Sequence, residues 1–241
     1  MHLSIVIPAF NEEKLLPATL KAVALAAAVL SEAGITHEVI ICDNNSTDRT
    51  AAIAVEHGAR VVFEPVNQIS RARNTGATLA TGDWLLFLDA DSPPSSELFA
   101  DLAVVLGDDG VLYGGCRMEM DEPHRGAQVF LNMWHCLAKW SRLAAGSFLF
   151  VRRDAFQASG GFSTELFASE EVEFSKRLGK MAKQRKQRFV FLTAHPLVTS
   201  GRKLKFHSGW WHLRFFLRTA LTGGRTLKRR ESCELWYGGK R

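Results

Sequence analysis

A chain of 241 residues, 46% hydrophobic and 23% charged with 19 Gly and 7 Pro, has the composition of a folded globular protein, which excludes a disordered or fibrous chain. Cys42, Cys116, Cys136 and Cys233 form no CxxC pair and no metal-ligand spacing, so neither a disulfide framework nor a zinc site is expected, and a reducing compartment fits best. The net charge of +5 hides a division: residues 1–175 hold 12 Lys+Arg against 23 Asp+Glu, residues 176–241 hold 18 against 2, so an acidic body should carry the chemistry while a basic end meets something negative.

Leu3 to Ile7 is a short branched apolar run read as a buried strand stopped by Pro8. A helix is expected from about Glu12 to Ala33. Its apolar stretch Ala22 to Leu30 is too short to cross a bilayer, and no cleaved signal precedes it. Glu38 to Cys42 is a second strand ending at Asp43, and Thr47 to His57 a second helix capped by Ser46 or Thr47. Arg60 to Glu64 gives a third strand, Ser70 to Leu79 a third helix, and Trp84 to Leu88 a fourth strand ending at Asp89. Glu97 to Leu106 is a further helix, Val111 to Met120 a strand, and Phe189 to Leu192 another. Strands alternating with helices imply an α/β fold with a mostly parallel sheet covered on both faces, and ligands past the carboxyl ends of its strands.

The polar residues fall at those ends. Pro8 to Glu13, Asp43 to Asp48 and Asp89 to Asp91 each follow an apolar strand, so three loops should converge on one crevice. Asp89-Ala90-Asp91 sets two carboxylates side by side, an arrangement that suits a hard cation completed by substrate phosphates. An Asp-initiated turn through Asp91-Ser92-Pro93-Pro94 is the plainer alternative. Asp43 likewise reads either as a ligand-binding carboxylate or as a turn residue capping the next helix. Glu170, Glu171 and Glu173 read either as a proton-abstracting cluster or as a solvated first helical turn.

Four segments occur in order: Ser4-Ile5-Val6-Ile7-Pro8-Ala9-Phe10-Asn11-Glu12-Glu13, Asp43-Asn44-Asn45-Ser46-Thr47-Asp48, Arg71-Ala72-Arg73-Asn74-Thr75-Gly76 and Phe87-Leu88-Asp89-Ala90-Asp91. Together they resemble the nucleotide-binding half of family 2 glycosyltransferases of the GT-A fold. The resemblance is strong over about residues 3–92 and runs more loosely to about 180 through Gly160-Gly161-Phe162 and Ser169-Glu170-Glu171. It implies a Rossmann-like GT-A sheet and a donor site lined by Pro8, Ala9, Phe10, Glu12, Asp43, Arg73, Asp89, Ala90 and Asp91. It further implies Mg²⁺ or Mn²⁺ on Asp89 and Asp91, Glu171 as the base of an inverting transfer, and Arg73 facing the nucleotide. Asn44 and Asn45 stand where the family more usually has a second acid and a glycine, which removes a charge beside the base.

Lys176 to Arg188 is densely basic, and Ser200-Gly201-Arg202-Lys203 could close over a diphosphate, with Arg202 as a charge partner. Trp210 to Leu221 reads as a helix whose apolar stripe either packs on the core or lies at an anionic membrane surface. His195 and His207 are assigned no role. One catalytic domain is expected over 1–205, with a nucleotide-binding half to about 115 and an acceptor half from 116, followed by a basic amphipathic extension over 206–241. The expected activity is sugar transfer from a nucleotide sugar to an acceptor hydroxyl, with a lipid-linked acceptor suggested by the basic end. Such a protein would be cytoplasmic and peripheral on the inner face of a membrane, with no nucleic-acid partner. A sugar-phosphate nucleotidyltransferase and a non-catalytic nucleotide-sugar-binding regulator are the rivals. A dehydrogenase and a P-loop enzyme are disfavoured, because neither GxGxxG nor GxxxxGK occurs.

Overall fold

The structure is a computed structural model that describes residues 1–120, 138–144, 146–199 and 225–233. In chain order these form β1 (His2–Ala9), α1 (Leu16–Glu32), β2 (Thr36–Asp43), α2 (Thr50–Glu56), β3 (Arg60–Phe63), α3 (Ile69–Thr78) and β4 (Trp84–Leu88). Then follow α4 (Ser96–Leu106), β5 (Val111–Met120), β6 (Phe148–Arg152), α5 (Arg153–Ser159), α6 (Glu170–Arg185), β7 (Arg188–Thr199) and two short 3-10 helices, Arg225–Lys228 and Arg230–Ser232. The strands make one seven-stranded sheet in the order β3-β2-β1-β4-β6-β5-β7. Only β6 runs against its neighbours, pairing antiparallel with β4 and β5.

Alternation along β1 divides the core. Leu3, Ile5 and Ile7 face α1 and α4 in a cluster with Leu16, Leu20, Leu98, Phe99, Leu86 and Leu88. Val6 faces the other way, with Ile40, Leu85 and Phe87, toward α5 and α6 and the rings of Phe156, Phe162 and Phe174. Both sheet faces are therefore covered, as the continuous apolar strands require. On the Val6 face α3 approaches β1 so closely that a Cβ on Gly76 would lie 2.5 Å from Val6 Cγ1.

β1 does not stop at Pro8. It continues through Ala9, with Pro8 beside Cys42 and Ala9 beside Asp43 in the β2 register. The Asn44 N–H donates to the Ala9 carbonyl at 2.8 Å, so Ala9 points to β2 and Pro8, by alternation, to β4. The β1–β4 ladder ends at Val6 and Phe87, so proline's missing N–H interrupts nothing. β6 was not expected, and the supposed boundary at 115/116 falls between two residues inside β5. α2 starts at Thr50, and its cap is neither Ser46 nor Thr47: Asp48 accepts from the Thr50 N–H at 2.9 Å. β7 is longer than Phe189 to Leu192, because it follows β5 to its end.

Candidate active site

Asp43 ends β2 and Asp89 directly follows β4, with β1 between them in the sheet. All three strands point the same way, so both acids stand on the carboxyl edge, two strand spacings or about 10 Å apart. The loops after β1 and β2 are stitched to one another. Asn11 N–H donates to Ser46 Oγ at 2.9 Å and Thr47 N–H donates to Asn11 Oδ1 at 2.8 Å. Glu12 N–H donates to Thr50 Oγ1 at 2.8 Å and Glu13 N–H to Asp48 Oδ2 at 3.1 Å. Asn11 holds a positive φ of 53°, which its side chain tolerates and its two bonds fix. Most polar side chains of these loops therefore shape the rim.

Against that rim stand the expected donor residues. Pro8 and Ala9 are buried in β1, Phe10 is half-buried, and Glu12 is buried with its carbonyl accepting from Leu15 and Leu16. Asp43 is buried and one of its oxygens accepts from the Ser46 N–H at 3.0 Å, the turn bond foreseen as its plainer role. Asn44 is a structural hub. Its amide donates to the carbonyls of Glu64 and Val66 at 3.1 and 2.7 Å and accepts from the Gln68 N–H at 2.9 Å. A carboxylate there could not make the two donations, which accounts for Asn in place of an acid.

The Asp89 carboxylate accepts from Arg73 Nη2 at 3.2 Å and from Ser147 Oγ at 2.8 Å. Thr19 Oγ1 of α1 donates to the Ala90 carbonyl at 2.8 Å, holding the turn. Asp91 is buried, and the Ser92 hydroxyl donates to its Oδ1 at 3.4 Å. Ser92 in turn shares a 2.9 Å hydrogen bond with Thr199 Oγ1 at the end of β7. Arg202 and His207 lie outside the described residues. His195 pairs with Asp101 of α4 at 3.0 Å.

Arg73 has protein partners at its guanidinium, and its side chain is 2% exposed. Nη1 donates to Glu170 Oε1 at 2.7 Å, Nη2 donates to Asp89 and to the Gly146 carbonyl at 2.9 Å, and the group lies 5.3 Å from the centre of the Phe162 ring. Asn74, one residue on, exchanges two bonds with the Phe162 backbone, donating at 2.8 Å and accepting at 2.9 Å. Together they seat Gly160-Gly161-Phe162, whose glycines both take left-handed φ.

Glu170 is buried and Glu171 partly buried in the first turn of α6. Burial raises both carboxyls, and the positive charge of Arg73 opposes it most at Glu170, its hydrogen-bonded partner. Burial and the adjacent Glu170 charge push the Glu171 carboxyl up to about 8. Glu173 is committed elsewhere, bound to Arg177 at 2.6 Å. Sequence reasoning missed Gly146, Ser147 and the bridging role of Arg73, which become neighbours only through the antiparallel return of β6. Among the described residues no three His, Cys, Asp or Glu side chains converge as a metal cage. The Asp89-Ala90-Asp91 pair of hard oxygen donors still fits Mg²⁺ or Mn²⁺, ions that need few carboxylates when phosphate oxygens complete the shell.

The fold has counterparts. The chain is similar to glycosyltransferase AglE of Haloferax volcanii, 28% identical over 214 residues that cover 84% of this chain and 69% of that one. It is 40% identical over 88 residues to the uncharacterized glycosyltransferase Rv0539 of Mycobacterium tuberculosis, an alignment covering 36% of each, so it spans about a third of the length of the mycobacterial relatives it matches. Mannosyltransferase PcManGT from Pyrobaculum calidifontis, solved in complex with GDP-Man and Mn²⁺, superposes with a TM-score of 0.64 at 19% identity, covering 81% of this chain and 56% of that one. The profile of glycosyl transferase family 2 matches residues 4–160, and with the seven-stranded sheet of the GT-A fold behind it, the chain belongs to that family.

Proposed function

We propose that this chain transfers a sugar from a nucleoside diphosphate sugar to an acceptor hydroxyl, with inversion and with a divalent metal ion. The observation that carries this reading is the meeting of Asp89, on the strand edge that holds Asp43 and Asp91, with Glu170 and Glu171 around one buried guanidinium. PcManGT was solved with a nucleotide sugar and Mn²⁺, which supports a donor and metal of that kind here. Asp43 would accept from a base N–H through the oxygen not used by Ser46, and the β1 loop from Pro8 to Glu12 would line the nucleoside. Asp89, anchored by Arg73 and Ser147, and Asp91 would hold Mg²⁺ or Mn²⁺. When bound, the ion supplies charge neutralisation for the departing diphosphate.

Glu171 would take the acceptor proton. A carboxyl whose raised proton affinity lies near the operating pH suits that transfer, and rigid placement supplies much of the remaining acceleration. Activity should therefore rise with pH through about 8, where Glu171 loses its proton. Residues 1–205 would be the catalytic domain and 206–241 a basic extension whose charge suits an anionic membrane surface and a lipid-linked acceptor. Among the described residues no helix is long and apolar enough to cross a membrane. The contact proposed is peripheral, on the cytoplasmic face.

The test is a thermal-shift titration with UDP and GDP, each with and without Mn²⁺ or Mg²⁺. Stabilisation by one nucleotide only when metal is present, lost in Asp91→Ala, is the expected result. A nucleotide response indifferent to metal and to Asp91→Ala would overturn the metal assignment. Glu171→Gln should bind the nucleotide unchanged and lose transfer by at least 100-fold. A regulator without turnover would show no transfer in either protein.

A further inference from the structure

Arg73 is the only buried arginine among the described residues, and it joins parts of the chain that are distant in sequence. It stands on α3, its carboxylate partners are 16 and 97 residues away, and the Gly146 carbonyl is 73 away. One partner follows β4 and the other opens α6, so one planar group spans the donor loop and the helix that carries Glu171.

Burying a guanidinium with two carboxylates is an inefficient way to gain stability, because desolvation offsets most of the attraction. The Arg73 Nε is buried without a hydrogen-bond partner, so part of that cost is not relieved. Direction is what the ions add. A guanidinium is a rigid fork, and each of its terminal nitrogens here fixes a different carboxylate. The chain also thins where they meet. A Cβ on Gly146 would lie 3.0 Å from Arg73 Nη2 and 3.5 Å from Glu171 Cδ, so the Glu171 carboxyl sits beside the guanidinium. Among the described residues Glu171 forms no ion pair of its own. Glu170 takes the direct bond to Arg73, and the Glu171 side chain is hydrogen-bonded to Glu170.

We propose that Arg73 and Glu170 are positioning residues: the buried Asp89–Arg73–Glu170 bridge fixes the Glu171 carboxylate at a set distance from the donor loop, so that base and leaving group are aligned by a single side chain. The inference rests on Glu171 acting as the base. Facing Glu171 are Glu170 on its own helix, Arg73 from α3 and Asp89 from the β4 loop, and Cys233 from the carboxyl-terminal segment lies close to Glu170.

The experiment uses the full chain and the variants Glu170→Gln, Arg73→Lys and Glu171→Gln. Three quantities are measured: affinity for UDP and GDP with Mn²⁺ by calorimetry, turnover of the nucleotide sugar whose nucleotide binds, and titration of the Glu carboxyls by NMR of protein labelled at Glu Cδ without metal. Glu170→Gln keeps the shape and the acceptor oxygen but removes one charge. It should leave nucleotide affinity and KM for donor within threefold, lower kcat at least 10-fold, and move the Glu171 titration down by at least one pH unit. Arg73→Lys, which cannot span both carboxylates, should also lower kcat with little change in KM. Should it fail to fold, Glu170→Gln alone decides. If Glu170→Gln keeps wild-type kcat and an unmoved Glu171 titration while Glu171→Gln is inactive, the bridge has no positioning role. If Glu171→Gln itself retains turnover, the reading of Glu171 as base fails first.

Discussion

Burial and the neighbouring Glu170 charge raise the Glu171 carboxyl to about 8, which leaves a signature in stability as well as in turnover. Between its ordinary value of 4.5 and about 8, the folded chain holds a proton that the unfolded chain has released, so this group's contribution to stability falls as pH rises through that window. Glutamine has no proton to lose. Glu171→Gln should therefore be the more stable protein at pH 8 by on the order of 1–2 kcal/mol, or roughly 2–6 °C in Tm, a gain that disappears by about pH 4.5. Calorimetry at three pH values checks this, and a gain that grows toward acid would contradict the assignment. Asn44 makes the opposite case, a loop residue whose identity is set by hydrogen bonds. Asn44→Asp loses both donations to the Glu64 and Val66 carbonyls and should cost about 2–4 kcal/mol, read as a lower midpoint in urea. Asp43, Asp89, Asp91 and Glu171 could be singled out from their positions after apolar strands and from the ordered motifs. The partner of Arg73 could not, since 97 residues separate it from Glu170 and nothing local marks either as buried.

Among the elements, the apolar runs announced β1 and β4, which are buried almost throughout, and β2, which is buried toward its end; β3, only half-buried, was marked by its branched Val61-Val62 pair. β6 is equally apolar, yet it went unread. It follows a long stretch without periodic pattern and reverses direction, which no alternation of strands and helices foretells. The amino-terminal end of the sheet is fastened by Glu38, which accepts from Ser4 Oγ, from Thr81 Oγ1 and from the Thr81 N–H, each at 2.7 Å. Burial works against its charge, but the bonds from Thr81, Ser4 and Arg60 outweigh it and hold the carboxyl down to about 2. Its stabilisation is therefore complete above 4.5 and lost as pH falls toward 2. Glu38→Gln should cost about 1–3 kcal/mol at pH 7 and nothing near pH 2, measured by urea unfolding at both. Packing of α3 on β1 offers a second test. Gly76→Ala places a methyl group against Val6 and should destabilise by about 1–3 kcal/mol, partly relieved by adding Val6→Ala.

At the scale of the molecule, the sheet sorts chemistry by edge. The carboxyl ends of β1, β2 and β4, the start of α6 and the end of β7 share one rim, while Glu38 and its partners close the opposite end. The carboxyl-terminal segment returns to the rim as well: the Leu227 carbonyl accepts from the Phe167 N–H at 2.7 Å and Lys228 pairs with Glu165 at 2.7 Å, just ahead of α6. Because β6 runs backwards, the chain leaves the sheet at Met120 and re-enters it at Phe148 on that same rim. Replacing residues 122–136 by a Gly-Ser stretch of equal length should leave metal-dependent binding of UDP or GDP within about threefold, because none of the donor loops passes through it; a complete loss of binding would refute this. One reversed strand thus returns the chain to the edge it left, and delivers Ser147 and Gly146 beside Asp89 and Arg73, so a single change of strand direction ties the far half of the chain to the loops of the near half.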